Sequence, residues 1–198
     1  MSVLVGCSAP EITADAVWGD GSVRPYVLSG SRARYVVLFF YPLDFTQASS
    51  SELIAFEQRI GDFIRRGVDV VGCSVDSAYT HRAWKQAPRS EGGVGELSYP
   101  LIGDVSHEVC RAYGVEGPLA GALRATFVID REGVVQYQII NSLAAGRDID
   151  ELLRVIDALR QTEPDGTAWA GGRQKGRAGM TPAEHGVARY LAEHSDML

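Results

Sequence analysis

The chain has 198 residues, of which 45% are hydrophobic, and a formal net charge of −6 at pH 7. This length is enough for one domain with a sizeable core and a C-terminal extension, and the negative charge argues against nucleic acid and anionic membranes as partners. No apolar run approaches the roughly 20 residues of a membrane span, and the start MSVLVGCSAPE lacks a signal-peptide pattern, so we expect a cytoplasmic protein.

The first part of the chain predicts a short hairpin followed by a central strand. Residues 16–18 and 23–28 are strand-like and flank a turn at Gly19-Asp20-Gly21. Residues 36–41 form a continuous apolar run rich in β-branched and aromatic side chains, which is typical of a strand covered on both faces. Pro42 ends this strand.

A polar turn and a helix start follow Pro42. Thr46, Ser49, Ser50 and Ser51 are short hydroxyl residues suited to capping a helix, and Glu52 lies in its first turn. A helix N-terminus presents unpaired N–H groups and partial positive charge, so it attracts an anion or a polar ligand. The alternative is a well-capped helix with no further role.

Apolar residues continue at helical spacing up to Gly67, and they predict one long helix. These residues are Leu53, Phe56, Ile60, Phe63 and Ile64. Residues 68–75 form a second buried strand, so strand, helix and strand make a right-handed unit with parallel strands.

The rest of the pattern alternates short helices and strands. It predicts helices at 79–86, 105–113 and 149–159, a loop at 88–98, a strand at 99–102 and a hairpin of strands 125–129 and 134–140. The composition shifts after Thr162. We therefore predict a core at 1–162 and an arm at 163–198 that ends in a helix at 183–194 and packs on the core or on a second subunit.

Several motifs together resemble the typical two-cysteine peroxiredoxins of the alkyl hydroperoxide reductase C type. They are FYPLDFT at 40–46, SVDS at 74–77, GGVG at 92–95, YGV at 113–115, RATFVID at 124–130 and GRDIDELLR at 146–154. The resemblance implies an α/β thioredoxin-like fold with a central mixed sheet flanked by helices. It also implies homo-oligomers, as dimers that can join into a ring.

The chain departs from this family at the redox residues. Pro42 and Thr46 match the family's motif, but Ser49 stands where the peroxide-attacking cysteine is expected. The segment 166–172 offers Trp169, which we expect to pack as an apolar anchor, and no resolving cysteine. A serine hydroxyl is far less acidic than a thiol and cannot form a sulfenic acid, so Ser49 is not expected to reduce peroxides.

The rest of the family's pocket is retained. By resemblance, Thr46 and Arg124 would face a peroxide's oxygens, while Glu52 and Arg147 would hold Arg124 in place. Pro42 would screen the site from water, and Phe45 would line it together with Pro42. The alternative is that the charged groups form only a structural ion pair and Thr46 only a cap.

The remaining cysteines do not supply a substitute nucleophile. Cys7, Cys73 and Cys110 are odd in number and far apart, so neither a disulfide framework nor a zinc site is indicated. Cys73 lies within a strand pattern and is expected to be an inert buried residue. None of the three is expected at the capped helix start.

Three functional hypotheses remain open. The first is a repurposed, thiol-independent enzyme in which Thr46, Ser49 and Arg124 act on a small polar or anionic organic substrate without metal or cofactor. His81 and His107 are candidate bases by residue type alone. The second is a catalytically silent pseudo-peroxidase that serves binding or assembly. The third is a Cys-to-Ser variant of a thiol peroxidase. Four further residues argue against it, because they also differ from the family's usual residues: Gln47, Ala48, Ser50 and Trp169.

Overall fold

The computed structural model describes residues 3–31, 34–117, 121–162 and 186–195. The chain divides into two compact units, one up to Ile149 and one from Asp150 onwards. The first unit contains a single seven-stranded sheet, and every candidate site residue belongs to it.

The strands of the sheet lie in the order β2-β1-β5-β4-β3-β6-β7. They are β1 (Thr13–Val17), β2 (Val23–Val27), β3 (Tyr35–Phe40), β4 (Val68–Ser74), β5 (Leu101–Gly103), β6 (Arg124–Ile129) and β7 (Val135–Asn141). The helices are α1 (Gln47–Gln58), α2 (Ile60–Arg65), α3 (Ala78–Gln86), α4 (Glu108–Ala112), α5 (Ile149–Thr162) and α6 (Gly186–His194). The mixed α/β architecture expected from the sequence is confirmed.

Strand β3 is an interior strand of the sheet with a neighbour on each side, as its apolar run predicts. All six of its residues are buried, and it pairs parallel with β4 and antiparallel with β6. The predicted parallel unit of strand, helix and strand is therefore confirmed. Both predicted hairpins also form, because β1 pairs with β2 and β6 pairs with β7.

Successive side chains of a strand point to opposite faces of the sheet, and the two faces carry different layers. Phe40 belongs to the core cluster on one face, together with Cys73 and Phe127. Phe39 points to the other face, where its ring stacks on Phe56 of α1 at a centroid distance of 4.2 Å. This second face is the one that carries the candidate site.

The prediction of one long helix after Pro42 is wrong in one respect, because the segment is divided into two helices, α1 and α2. Arg59 interrupts it with φ −107° and ψ 7°, and its N–H bonds to the carbonyl of Phe56, three residues earlier. Ile64 is consequently 58% exposed, although its spacing placed it on the buried face. Gly67 follows α2 with φ 68°, a backbone conformation that suits the predicted helix stop.

The helix predicted at 105–113 is shorter than expected. His107 has φ 59°, in the left-handed region, so the helix cannot extend back through it. The Asp104 carboxylate instead accepts hydrogen bonds from the N–H groups of Val109 at 3.1 Å and Cys110 at 2.7 Å. This carboxylate caps α4 from outside the helix.

In the C-terminal region the structure describes the residues before 163 and residues 186–195. Helix α5 spans the segment predicted at 149–159, and α6 lies within the helix predicted at 183–194. Residues 163–185, including Trp169, lie outside the described residues, so the docked arm stays a prediction. None of the helices in the described ranges is both long and apolar enough to span a bilayer.

Candidate functional site

The site lies where β3 ends and α1 begins. The chain leaves β3 through Pro42 and reaches Thr46, which has extended backbone geometry (φ −96°, ψ 144°) directly before α1. The Thr46 side chain makes no capping hydrogen bond, so the predicted hydroxyl cap is wrong. Its hydroxyl instead lies 2.7 Å from the carbonyl of Leu43 and is used within the turn.

Thr46 and Ser49 form a directed hydroxyl pair. Their oxygens lie 2.7 Å apart, one helical turn from each other. The single proton of the Thr46 hydroxyl can be donated either to the Leu43 carbonyl or to the Ser49 oxygen. The Ser49 oxygen is thus an acceptor in this pair. Ser49 is fully buried, and Nη1 of Arg124 lies 3.5 Å from its oxygen.

Glu52 joins two arginines beneath these hydroxyls. Its Oε2 accepts hydrogen bonds from Nη1 of Arg124 at 2.5 Å and from Nη1 of Arg147 at 2.7 Å. Its Oε1 accepts the backbone N–H of Arg147 at 3.1 Å. One carboxylate thus faces two buried guanidinium groups, which leaves an excess of positive charge beside Ser49.

Arg147 is fixed from several sides. Its Nε donates to the Thr126 hydroxyl at 2.9 Å, and its Nη2 donates to the carbonyls of Phe40 and Ala125. Burial lowers the pKa of Arg147 to about 10, while the Glu52 carboxylate opposes that shift. The guanidinium is therefore still protonated at neutral pH and anchors Glu52.

Arg124 keeps one donor that no acceptor among the described residues uses. Its Nε donates to the Leu143 carbonyl at 2.8 Å, and its Nη1 faces Glu52 and Ser49. Within the described part of the chain, Nη2 has no hydrogen-bond partner. It can donate to a ligand.

Pro42 and Phe45 are the other predicted site residues. Pro42 is partly buried in the turn. Phe45 is 51% exposed, has φ 55°, and its ring centroid lies 5.7 Å from that of Trp84. The ring therefore packs at a tilt against Trp84 of α3, and its predicted part in substrate binding stays a prediction.

Neither candidate base contacts Ser49. His81 is fully buried, with Nδ1 2.7 Å from the Asp44 carboxylate and Nε2 3.0 Å from the Ile102 carbonyl. His107 lies 3.0 Å from Glu116 in a different part of the fold. Both imidazoles are thus engaged elsewhere, and the structure does not bring them to the hydroxyl pair.

Asp44 and its partners form a buried polar group that sequence reasoning missed. The Asp44 carboxylate accepts a hydrogen bond from the Tyr41 hydroxyl at 2.9 Å in addition to its contact with His81. Burial raises the pKa of Asp44, and the His81 contact opposes that shift. No local sequence pattern indicated this contact, because Asp44 and His81 lie 37 positions apart in the chain.

The described thiols lie away from the site. Cys73 pairs with Phe40 across the sheet and belongs to the core cluster on the face opposite Arg124. Burial raises the pKa of Cys73 well above its usual range, and Cys110 adds to this shift. Cys7 is exposed, and its backbone pairs with Val135 of β7. The expectation that Cys73 is a buried, inert residue agrees with this placement.

Comparison with known proteins now identifies the scaffold. The model of the AhpC/TSA family matches residues 5–138. The chain belongs to the AhpC/TSA family. Alkyl hydroperoxide reductase C of Helicobacter pylori is 41% identical to this family member over 195 residues, 98% of each chain. Peroxiredoxin-2 of Mus musculus is 42% identical over 192 residues, 96% of each chain.

A solved structure shows the same architecture. The reduced 2-Cys peroxiredoxin of Plasmodium vivax superposes with a TM-score of 0.93 at 42% identity, covering 96% of this chain and 100% of that chain. The thioredoxin-like fold of peroxiredoxin type is thereby confirmed for this AhpC/TSA-family protein. So is the resemblance to the peroxiredoxins that its motifs predict.

Proposed function

We propose that this AhpC/TSA-family protein binds a small polar or anionic organic molecule at Thr46, Ser49 and Arg124, and that it does not reduce peroxides by thiol chemistry. The observation that carries the proposal is the buried hydroxyl of Ser49. It lies 2.7 Å from the Thr46 hydroxyl and 3.5 Å from Arg124, in the position that the family's motif gives to the attacking cysteine.

The loss of thiol chemistry follows from the residues present. A serine oxygen does not enter the sulfenic acid ladder by which a peroxidatic thiol reduces its substrate. No resolving cysteine is found in the 166–172 segment either, because Cys7, Cys73 and Cys110 are the only cysteines of the chain. The buried position of Cys73 and its raised pKa further oppose a substitute thiolate.

Ligand binding is supported by the charge and the donors that remain. Two buried guanidiniums share the carboxylate of Glu52, and Nη2 of Arg124 is free of protein acceptors within the described residues. A carboxylate or another oxygen-rich group would accept from this nitrogen and offset the excess positive charge. This is the substrate class expected for the repurposed pocket.

Binding is the part of the repurposed-enzyme hypothesis that the geometry supports best. His81 bonds to Asp44 and Ile102, and His107 bonds to Glu116, so neither offers a base to Ser49. We therefore do not assign a chemical step to the hydroxyl pair. The pseudo-peroxidase hypothesis differs only in that the protein binds no small ligand. A binding measurement therefore distinguishes the two hypotheses.

Assembly and location are part of the same proposal. We expect a homo-oligomer, as a dimer and possibly a ring of dimers, in the cytoplasm. A related protein, Prx1a of Plasmodium yoelii modified at its N-terminus, is described as an artifactual octamer. On this chain, exposed apolar side chains are available for such contacts at Leu43, Phe45, Tyr79 and Val105.

The first experiment measures peroxide consumption with dithiothreitol as reductant. The wild-type protein should not turn over hydrogen peroxide above the background rate, whereas Ser49→Cys should gain turnover because Arg124 and Thr46 are in place to stabilise a thiolate. Ser50→Cys, one residue along the same helix, is the matched control and should stay silent. Fast turnover by the wild-type protein would refute the proposal, because one of its three cysteines would then have to be catalytic.

The second experiment measures ligand binding. Acetate and benzoate should raise the melting temperature of the wild-type protein in a saturable manner, and Arg124→Lys should weaken that effect roughly tenfold because it loses the planar donor set. A protein that ignores both anions would instead be a silent scaffold. The third hypothesis, a Cys-to-Ser variant of an ordinary thiol peroxidase, would be indicated if Ser49→Cys alone reached the activity of the family's peroxidases.

A further inference from the structure

Asp44 is a buried carboxylate in the turn between β3 and α1, and the proposed function does not use it. Its side chain is only 2% exposed. Its Oδ1 accepts a hydrogen bond from the Tyr41 hydroxyl at 2.9 Å, and its Oδ2 lies 2.7 Å from Nδ1 of His81. Its backbone N–H donates to the carboxylate of Asp76 at 2.8 Å. One residue thus fastens the turn to the end of β3, to α3 and to the segment after β4.

The residues on either side of Asp44 set the position of Thr46. The Thr46 hydroxyl lies 2.7 Å from the carbonyl of Leu43, the residue before Asp44. Phe45, the residue after it, has φ 55°, in the left-handed region that residues other than glycine rarely adopt. Such a backbone persists only where its surroundings hold it. The contacts of Asp44 therefore help to keep the Thr46 hydroxyl 2.7 Å from that of Ser49.

Asp44 and His81 hold one proton between them. The Ile102 carbonyl lies 3.0 Å from Nε2 of His81 and can only accept, so Nε2 carries a hydrogen. The contact of 2.7 Å between Nδ1 and Oδ2 needs a second hydrogen, which belongs either to an imidazolium or to a carboxylic acid. In both forms the pair has no net charge. Burial raises the pKa of Asp44, which favours the carboxylic acid beside a neutral imidazole.

Loss of the shared proton would leave two acceptors facing each other. The lone pairs of Nδ1 and Oδ2 would repel at 2.7 Å, and a negative charge would stay buried. The titratable groups around the pair do not offset this charge, because Asp76 is a second carboxylate and burial raises the pKa of the Tyr41 phenol well above its usual range. Within the described ranges, His81 is the only basic side chain that pairs with Asp44. The contact therefore has to open when the proton leaves.

We propose that Asp44 and His81 are positioning residues for the ligand site, and that the proton they share controls the turn. While the proton is bound, the turn holds Thr46 against Ser49. When the pH rises, the proton passes to hydroxide, the contact between Nδ1 and Oδ2 opens and the turn is released. The inference rests on the proposed function only for its effect on ligand affinity, because the turn depends on the proton with or without a ligand.

The test follows the backbone amide resonances of Thr46 and Ser49 in the full-length protein without ligand, from about pH 6 to about pH 9.5. In the wild type, both resonances should move in one common step. The imidazole nitrogen resonances of His81 should change with the same midpoint, since the same proton is lost.

Asp44→Asn should remove this step. Its amide N–H donates to Nδ1 of His81 and its oxygen still accepts from Tyr41, so the contacts are kept without a proton that titrates in this range. His81→Gln lacks the imidazole and should also remove the step, which gives a second measurement from the other side of the pair. His107→Gln is the matched control and should keep the step, because His107 contacts Glu116 in a different part of the fold.

Acetate affinity connects the turn with the ligand site. Across the step, the wild-type protein should lose roughly tenfold in affinity, because Thr46 no longer holds Ser49 beside Arg124. In Asp44→Asn the affinity should not change at that pH. Arg147, with a pKa lowered to about 10 by burial, begins to titrate at the upper end of the range in both proteins, so its contribution cancels in the comparison.

Three results would overturn the proposal. They are the absence of a common step of Thr46 and Ser49 in the wild type, a step that persists in Asp44→Asn, and an acetate affinity that stays constant across the step. If acetate binds to no form of the protein while the ligand-free step is present and requires Asp44, the proposed function fails and the control of the turn by the shared proton stands. The two failures are therefore distinguishable.

Discussion

The carboxylate of Glu52 accepts a hydrogen bond from Nη1 of Arg124 at 2.5 Å, and both side chains are only 5% exposed. The same oxygen also accepts from Arg147 at 2.7 Å. Removing one partner of a buried ion pair leaves an uncompensated charge, which costs far more than losing an exposed pair. Glu52 therefore holds both guanidinium groups in place, and the geometry of the site depends on it.

Glu52→Gln should lower the free energy of unfolding by about 3 kcal/mol or more, because two buried guanidiniums lose their counter-charge. The matched control is Glu151→Gln, which removes an exposed pair with Arg154 and should cost less than about 1 kcal/mol. Urea unfolding of the three proteins measures both values. Equal losses in the two variants would show that the cluster at Glu52 is not a buried, desolvated unit.

Thiol titration should distinguish the exposed cysteine from the buried ones. Cys7 is exposed, whereas Cys73 and Cys110 are buried and lie in the same core cluster. The native protein should therefore react with a thiol reagent at one site, and all three thiols should react only after denaturation. Rapid native labelling of Cys73 would contradict this placement and reopen thiol chemistry.

Local patterns predicted the framework of the fold. The β-branched and aromatic run that became β3 is typical of a strand covered on both faces, and the turn at residues 130–133 indicated the hairpin of β6 and β7. The division between α1 and α2 was not predictable, because it depends on the backbone at Arg59 and not on apolar spacing. The Thr46 cap failed for a similar reason, since the Thr46 hydroxyl is used within the turn, 2.7 Å from the Leu43 carbonyl.

The site was predictable only in part. Thr46, Ser49 and Glu52 lie at the start of one helix, so their proximity follows from helical spacing. The contacts of Arg147 come from Phe40, Ala125 and Glu52, and only the family resemblance anticipated its meeting with Glu52. The contact of Asp44 with His81 joins residues 37 positions apart, and no local pattern indicated it.

Asp44→Asn should change how stability depends on pH. Burial raises the pKa of Asp44, so the folded protein binds more protons than the unfolded chain above the ordinary carboxyl pKa. That group therefore makes the wild-type protein lose stability as the pH rises through its folded pKa. The variant lacks this loss and should gain stability relative to wild type between pH 4 and neutrality, as urea unfolding measures.

Asp20→Asn is the control with the opposite sign. Hydrogen bonds from Ser22 lower the pKa of Asp20, with a contribution from Arg24. Its stabilising effect is therefore present above the ordinary carboxyl pKa and is lost as the pH falls. The stability difference between this variant and wild type should change in the opposite direction over the same pH range. Parallel behaviour of the two variants would refute the assigned role of burial at Asp44.

Tyr26→Phe should leave the protein as stable as wild type or more stable. No hydrogen bond of ordinary geometry reaches the buried hydroxyl of Tyr26 within the described residues. The Ser31 side chain lowers the pKa of Tyr26 and so opposes only part of the effect of burial, which leaves the desolvation of the hydroxyl incompletely offset. Tyr113→Phe instead removes a 2.8 Å bond to the Pro10 carbonyl and should cost about 1 kcal/mol, or a melting-temperature drop of roughly 2–4 °C in a protein of this size. A larger loss for Tyr26→Phe than for Tyr113→Phe, measured without added ligand, would show that the Tyr26 hydroxyl has a partner inside the protein.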